Sequence, residues 1–241
     1  MIYVNGCSYS LSNGKNYGDY LSEITGKNLL HKGIKGSSND RIFRTTTRDL
    51  LKLKQNGIND CLVCVGLTFW FRTEIWIENH GIKRWHQFQY DDGEFVSFQA
   101  ITNKNWFNTE KVSKDIPGFY KNYLKEWIKN LNVDGAIVNT MHQACLLLHL
   151  CKSLGYNLLI FWAADVSEDI CMIDKNLESL RDFYKEFNDK NSFDLLQYCF
   201  VKDCFDSGYK PFDSEHQHGH PDTNAHKEFA NKICDKIGII K

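Results

Sequence analysis

The stretch IYVNGCSYS, at positions 2–10, sets the expected fold of this chain. Its first three residues are β-branched or aromatic, and they stop at the turn formers Asn5 and Gly6, so the pattern predicts a strand that enters a loop. Tyr17 to Ile24 then shows the apolar spacing of a helix, which ends before Gly26. The chain therefore begins with a strand, loop and helix in that order.

The same order repeats further along the chain. Residues 28–31 predict a second strand, residues 33–40 a second loop, and the apolar spacing from Ile42 to Leu53 a second helix. Residues 61–65 form a fully apolar third strand that ends at Gly66. Such repeats are typical of an α/β protein, in which helices cover a parallel sheet and ligands bind at the carboxyl ends of its strands.

The rest of the chain is less regular. From about residue 67 to 113 it is rich in aromatic and turn residues, with a hairpin expected at 79–81, and we interpret this segment as an insertion beside the sheet. Such a segment can form a wall for an acyl chain or a stacking platform for sugar rings, and a small satellite core or an oligomer interface has at least equal weight. Further helices are expected at 120–131, 136–154, 176–187 and 222–237, and a strand at 157–162.

Composition limits the partners of the protein. The 241 residues contain no linker rich in Pro, Gly or Ser, which predicts a single domain over residues 1–241. The net charge is -1 and no Lys/Arg run stands out, so a nucleic-acid or membrane-surface partner is not expected. No signal peptide or spanning run is evident, which predicts a cytoplasmic protein. The nearly balanced charge favours a small or neutral substrate.

The nine cysteines are odd in number and mostly lie in apolar runs, as reduced and buried thiols do. Cys61 and Cys64 form a C-x-x-C, but within a strand pattern, where residues three apart point to opposite faces. Core packing is therefore favoured over a redox or zinc pair.

Residues able to perform chemistry follow the predicted strands. Ser8 comes directly after the first strand; its plain alternative is an ordinary turn residue. A nucleophilic serine needs a base and donors for an oxyanion. Gly36 after the second strand and Thr68 after the third are candidate donors, together with Asn39 near a helix start. His220, ahead of the last helix, is the candidate base.

Taken in order, these segments resemble the SGNH (GDSL-type) hydrolase superfamily: GCSYS at 6–10, Gly36, GLT at 66–68, His220-Pro221, and AHKEFA at 225–230. The resemblance covers about residues 1–72 and 213–237. It implies a flavodoxin-like three-layer α/β/α sandwich and an esterase, lipase, thioesterase or deacetylase activity without a cofactor. The run GSSNDR at 36–41 is similar to uncharacterised phage and bacterial members.

The resemblance also implies roles for individual residues. Ser8 takes the place of the nucleophile and gives its N–H to the oxyanion hole, Gly36 takes that of the glycine donor, and His220 that of the general base. Three positions depart from the family pattern: Cys7 replaces an Asp, Thr68 replaces the oxyanion-hole Asn, and Gln217 replaces the acid before the histidine. Gln217 can orient an imidazole but cannot stabilise its charged form; Asp213, Glu215 or a Ser-His dyad are the alternatives.

Two other functions are also compatible with the sequence. His216, His218 and His220 alternate, so an extended segment would turn them to one side, where Asp213, Glu215 or Asp222 could complete the site of a metal-dependent hydrolase. A non-catalytic SGNH-like binding protein, such as a phage accessory or structural factor, is the second alternative. Trp70, Arg72 and Glu74 are expected to line the pocket, with Arg72 and Glu74 either holding a charged substrate group or pairing with each other. His226 is expected to have a packing role.

Overall fold

The computed structural model describes residues 1–12, 14–70, 72–76, 90–91, 95–99, 122, 126–127, 130, 132–164, 166, 198–209 and 220–239. Its strands are β1 Ile2–Asn5, β2 Leu29–His31, β3 Leu62–Leu67, β4 Arg72–Trp76, β5 Tyr90–Asp91, β6 Phe95–Gln99 and β7 Asn157–Trp162. The helices are α1 Tyr17–Thr25, α2 Asn39–Gln55, α3 Val133–Leu154, α4 Phe200–Asp206 and α5 Thr223–Ile237.

Four parallel strands form the central sheet, in the order β2-β1-β3-β7. A parallel bridge between Trp162 and Cys199 places the chain ahead of α4 beside β7. This is the flavodoxin-like strand order, in which ligands bind where the order reverses, between β1 and β3. The predicted α/β architecture is therefore confirmed, and the loops after β1 and β3 meet at the position where such folds bind ligands.

Helices cover both faces of the sheet. Ile2, Val4 and Leu62 pack with α1 and α5 on one face, whereas Tyr3 and Val63 pack with α2 and α3 on the other. Strands buried on both faces have no polar side, which explains why they read as continuous apolar runs.

The helices begin where side chains satisfy their first backbone N–H groups. Asn16 and Asp19 form a capping box at α1, and Asp222 accepts from Ala225 N at α5. Ser38 Oγ accepts from Arg41 N, so α2 begins at Asn39, three residues before the first apolar residue that predicted it. An apolar pattern locates the buried face of a helix, whereas the cap decides where the helix starts.

Strand β3 also extends beyond its predicted end. Gly66 and Leu67 continue the parallel pairing, opposite Phe161 and Trp162 of β7. Glycine is a turn signal in sequence, but here a side chain would meet Ser10 Oγ at 2.8 Å. Gly66 therefore marks a close approach between β3 and the loop that contains Ser10, and not the end of the strand.

Part of the predicted insertion is described, as an antiparallel sheet in the order β4-β6-β5. Arg44 of α2 donates to both carboxylate oxygens of Glu74 on β4, at 2.9 and 2.7 Å, and Asp40 accepts from Thr73 Oγ1 and Glu74 N. These bonds fasten β4 to α2. The predicted hairpin at 79–81, the helix at 176–187 and most of the helix at 120–131 lie outside the described residues.

The eight cysteines in the described part of the chain are buried, and none of them forms a disulfide. Cys61 lies in the core beneath α2 and α3, and Cys64 in the core beneath α1 and α5, as their strand spacing predicts. Burial raises the pKa of the Cys61 thiol to about 11 and that of Cys64 further. Both residues therefore act as core side chains. None of the described helices has the length and hydrophobicity needed to cross a lipid bilayer.

Candidate active site

Ser8 begins a short 3₁₀ turn at the carboxyl end of β1. Ser10 N donates to Cys7 O at 3.0 Å and Leu11 N to Ser8 O at 3.1 Å. Ser8 is half-buried, whereas Cys7 and Tyr9 on either side of it are buried. The turn thus leaves Ser8 as the partly accessible residue of a buried loop, as a nucleophile requires.

Asn5 fixes the start of this loop. Its fully buried side chain accepts from Gly6 N at 2.9 Å and donates to Thr45 Oγ1 and Thr46 Oγ1, both at 2.9 Å. A buried amide that lost these partners would cost free energy, so the network permits a single arrangement. The end of β1 is therefore anchored to α2.

The Ser10 side chain fills the space between Gly6, after β1, and Gly66, near the end of β3. A Cβ atom added at Gly6 would lie 2.1 Å from Ser10 Oγ and 3.0 Å from Gly66 O, and one added at Gly66 would lie 2.8 Å from the same hydroxyl. Both glycines are required here by close approach. The loop after β1 consequently lies close against the carboxyl end of β3, where the strand order reverses.

Two histidines hold successive carbonyl groups of the loop, and we call this pair the histidine clamp. His31 Nε2 lies 3.1 Å from Ser10 O, and His226 Nε2 lies 3.1 Å from Leu11 O. Each Nδ1 accepts a backbone N–H, from Gly33 and from Tyr17 respectively. Because each Nδ1 accepts and each Nε2 faces a carbonyl oxygen, both rings are neutral and carry their proton on Nε2.

Burial reinforces the neutral state of the clamp. His226 is fully buried, and desolvation lowers its pKa to about 4 even though its bond to Leu11 O favours the charged form. Burial likewise lowers the pKa of His31. His226 has the packing and tethering role expected of it. His31 was not anticipated, although a histidine at the end of the strand beside β1 is a usable signal.

The loops after β2 and β3 are joined through one side chain. Asn39 Oδ1 accepts from Thr68 N at 2.8 Å, and Asn39 Nδ2 donates to Thr68 O at 3.1 Å. Thr68 is fully buried, and its hydroxyl accepts from Arg72 Nη1 at 2.8 Å. Gly36, three residues before Asn39, has the left-handed φ of 76° and is partly accessible. The structure thus brings three predicted donors to neighbouring loops and uses Asn39 to connect them.

His220 lies against the residue that follows Ser8. Its ring stacks on Tyr9, with centroids 4.9 Å apart and planes 30° from parallel. The prolyl residue after it leads to Asp222, the cap of α5. No hydrogen bond joins Ser8 to His220 among the bonds of the described residues, and such bonds often form only with substrate in place.

The other predicted pocket residues occupy different positions. Trp70 is buried in the core beneath α2 and α3. Glu74 pairs with Arg44 and is 5% exposed at its side chain, so it does not pair with Arg72. Arg72 instead donates to Thr68 and to Ser37 O. The remaining predicted residues lie outside the described part of the chain: Asp213, Glu215, His216, Gln217 and His218.

Sequence comparison finds no matching family model and no similar curated protein. Solved structures do match. A catalytic mutant of Axe2, an acetylxylan esterase from Geobacillus stearothermophilus, is 11% identical, with a TM-score of 0.49 over 99% of this chain and 94% of that one. A G-D-S-L protein described as lipolytic, from Desulfitobacterium hafniense, is 10% identical, with a TM-score of 0.47 over 98% of both chains. A G-D-S-L family member from Veillonella parvula is 12% identical, with a TM-score of 0.41 over 99% of this chain and 98% of that one. At these values, functional assignment rests on the geometry of the site itself.

Proposed function

We propose that this protein is an SGNH-type serine hydrolase that cleaves an ester or acetyl group from a small-molecule or glycan-linked substrate. The observation that supports it most is the stack of His220 on Tyr9. The order of motifs predicts Ser8 and His220 as partners from opposite ends of the chain, and the stack puts His220 against the neighbour of Ser8.

In the proposed reaction, Ser8 Oγ attacks the acyl carbon while His220 takes its proton. His220 then passes that proton to the leaving alcohol, and water releases the acyl group from Ser8 by the same route. The transfer requires the His220 imidazole to lie within hydrogen-bond distance of Ser8 Oγ in the substrate complex.

The oxyanion is expected to lie against backbone N–H groups. Ser8 and Gly36 are both partly accessible, so their N–H groups are our first two donors. Asn39 has a second hydrogen on Nδ2 besides the one given to Thr68 O, which makes it the third candidate. Thr68 is fully buried and is the weakest candidate as a direct donor.

The partner of the His220 imidazole is proposed from residues 213–217, with Asp213, Glu215 and Gln217 as candidates. A carboxylate would stabilise the imidazolium, whereas Gln217 would only orient the ring. Loss of the charged partner in serine triads lowers kcat by about 10⁴-fold, so a Gln or dyad site predicts a slow enzyme.

The test is covalent labelling by a fluorophosphonate together with hydrolysis of 4-nitrophenyl acetate. We expect Ser8→Ala to abolish both, because the variant lacks the hydroxyl that is proposed to form the acyl-enzyme, and His220→Ala to reduce both strongly. Ser12→Ala is the matched control: Ser12 follows the same loop and its hydroxyl accepts only Gly14 N among the described contacts, so labelling is retained.

Labelling that persists in Ser8→Ala contradicts the proposal. Hydrolysis that persists in Ser8→Ala and disappears with a chelator indicates instead the metal-dependent alternative at His216, His218 and His220. A wild-type protein that neither labels nor hydrolyses any ester indicates the non-catalytic binding alternative.

A further inference from the structure

Arg72, the first residue of β4, is a buried cation beside the proposed oxyanion site. It is 8% exposed, and its guanidinium lies over the Phe69 ring, 5.1 Å from the centroid. Only Nη1 has hydrogen-bond partners in the described structure: Thr68 Oγ1 at 2.8 Å and Ser37 O at 3.3 Å. Nε is buried without a partner. Both partners are neutral oxygens, so they fix the guanidinium without balancing its charge.

The acidic side chains near Arg72 are committed elsewhere. Glu74 accepts from Nε and Nη2 of Arg44. Asp40 accepts from Thr73 Oγ1, Glu74 N and Gln143 Nε2. No described carboxylate lies within ion-pair distance of Arg72. A buried cation without a counter-charge is unfavourable, whereas an arriving anion that pairs with it recovers that free energy. Arg44 of α2 shows the paired alternative, because Glu74 balances its charge.

The location of Arg72 relates it to the proposed reaction centre. Ser37 follows Gly36 directly, and Ser37 Oγ accepts from a second buried guanidinium, that of Arg41, at 3.1 Å. Phe69, beneath Arg72, contacts the Tyr9 ring edge-on with centroids 6.0 Å apart. Phe69 and Tyr9 thus link Arg72 to the loop that carries Ser8 through two ring contacts.

We propose that Arg72 binds an anionic oxygen group carried by the substrate, so the substrate is an acyl ester that also bears a carboxylate or a phosphate. This inference rests on the proposed serine hydrolase function. A guanidinium pairs with either oxyanion through charge-assisted hydrogen bonds. Thr68 and Ser37 O position Nη1, which leaves the rest of the group for the ligand.

Two esters of the same length separate this role from others. Mono-4-nitrophenyl succinate carries a carboxylate, and its methyl ester is neutral. We expect Arg72→Gln to lower kcat/KM for the charged ester about ten- to hundredfold more than for the neutral ester, the loss typical of a hydrogen bond to a charged group. Arg72→Lys keeps the charge and retains part of the preference. The matched control Arg44→Gln affects both esters equally.

An equal loss on the two esters overturns the proposal, because it indicates a role at the reaction oxyanion or in folding. Unchanged kinetics overturn it as well. A separate binding measurement does not depend on catalysis: succinate and inorganic phosphate are titrated into Ser8→Ala with and without Arg72→Gln, followed by Tm. A shift that requires Arg72 supports the site even if the hydrolase function fails, and the identity of the effective anion distinguishes carboxylate from phosphate. No shift with either anion overturns it.

Discussion

The loop that carries Ser8 and the segment that carries His220 are attached to the protein by different kinds of contact. The loop after β1 is bound through the Asn5 network and the histidine clamp, whose hydrogen bonds each fix a direction. The described contact of His220 with the loop is a ring stack, which constrains separation more than direction. We infer that these hydrogen bonds hold the loop of the proposed nucleophile in one arrangement before substrate binds.

The largest loss of stability is expected from a substitution at Gly6, in the loop after β1. In Gly6→Ala the new Cβ meets Ser10 Oγ at 2.1 Å and Gly66 O at 3.0 Å. We expect a loss of about 3 kcal/mol in the free energy of unfolding, because the buried Ser10 hydroxyl must be displaced while the backbone oxygen of Gly66 lies close on the other side. Urea unfolding measures it.

Gly135→Ala is the matched control for this substitution. Gly135 lies in the first turn of α3, where a Cβ meets nothing closer than 3.6 Å, so alanine is expected to stabilise the protein by up to about 1 kcal/mol. Equal effects of the two substitutions would contradict the close-approach explanation.

A fall in pH is expected to lower the free energy of unfolding by protonating His226 of the histidine clamp. Because the folded pKa of His226 is about 4, below the ordinary value of 6.5, the unfolded chain binds the extra proton first as the pH falls. The contribution of neutral His226 is complete above about pH 6.5 and is lost between there and pH 4. The shift corresponds to about 3 kcal/mol.

The measurement compares the pH dependence of unfolding free energy in wild type and His226→Asn, which removes the titrating ring. Carboxylates titrate in both proteins, and Asp222, His31 and His220 face His226 in both, so the difference isolates His226. If the wild type gained stability relative to the variant as the pH fell from 6.5 to 4, His226 would not be neutral in the folded protein.

The smallest effect on stability is expected at the ring stack between Tyr9 and His220. Tyr9→Leu removes the stack with His220 and its edge contact with Phe69, contacts worth about 1 kcal/mol, while the hydrogen bonds around Ser8 remain. We expect kcat/KM for ester hydrolysis to fall about tenfold with little change in Tm. Tyr9→Phe keeps the ring and should keep the rate; an unaffected rate in Tyr9→Leu would show that the stack does not position the base.

The fold followed from sequence where the pattern is local. The apolar runs at β1, β3 and β7 and the spacing in α1, α3 and α5 are properties of neighbouring residues, so they predicted these elements to within a few positions. Ends were less accurate, because a cap at Ser38 and a pairing at Gly66 depend on side-chain geometry.

The site was predictable in its location but not in its connections. That Ser8, Gly36 and Thr68 follow strands follows from chain order alone. Its connections depend on which parts of the chain meet in space. Examples are the hydrogen bonds of Asn39 with Thr68 and of His31 with Ser10, and the ion pair of Arg44 with Glu74. The nucleophile, the base and the single-domain organisation over 1–241 stay predictions.

The side chain of Asn39 behaves as a surrogate peptide group. Its carbonyl and amide meet the N–H and C=O of Thr68 as a neighbouring strand would, so the first residue of α2 adds a rung beyond the last residue of β3. The beginning of that helix and the end of that strand therefore form one mechanical unit. Any substrate that displaces Gly36 on one side would also shift Thr68, and with it the guanidinium of Arg72, on the other.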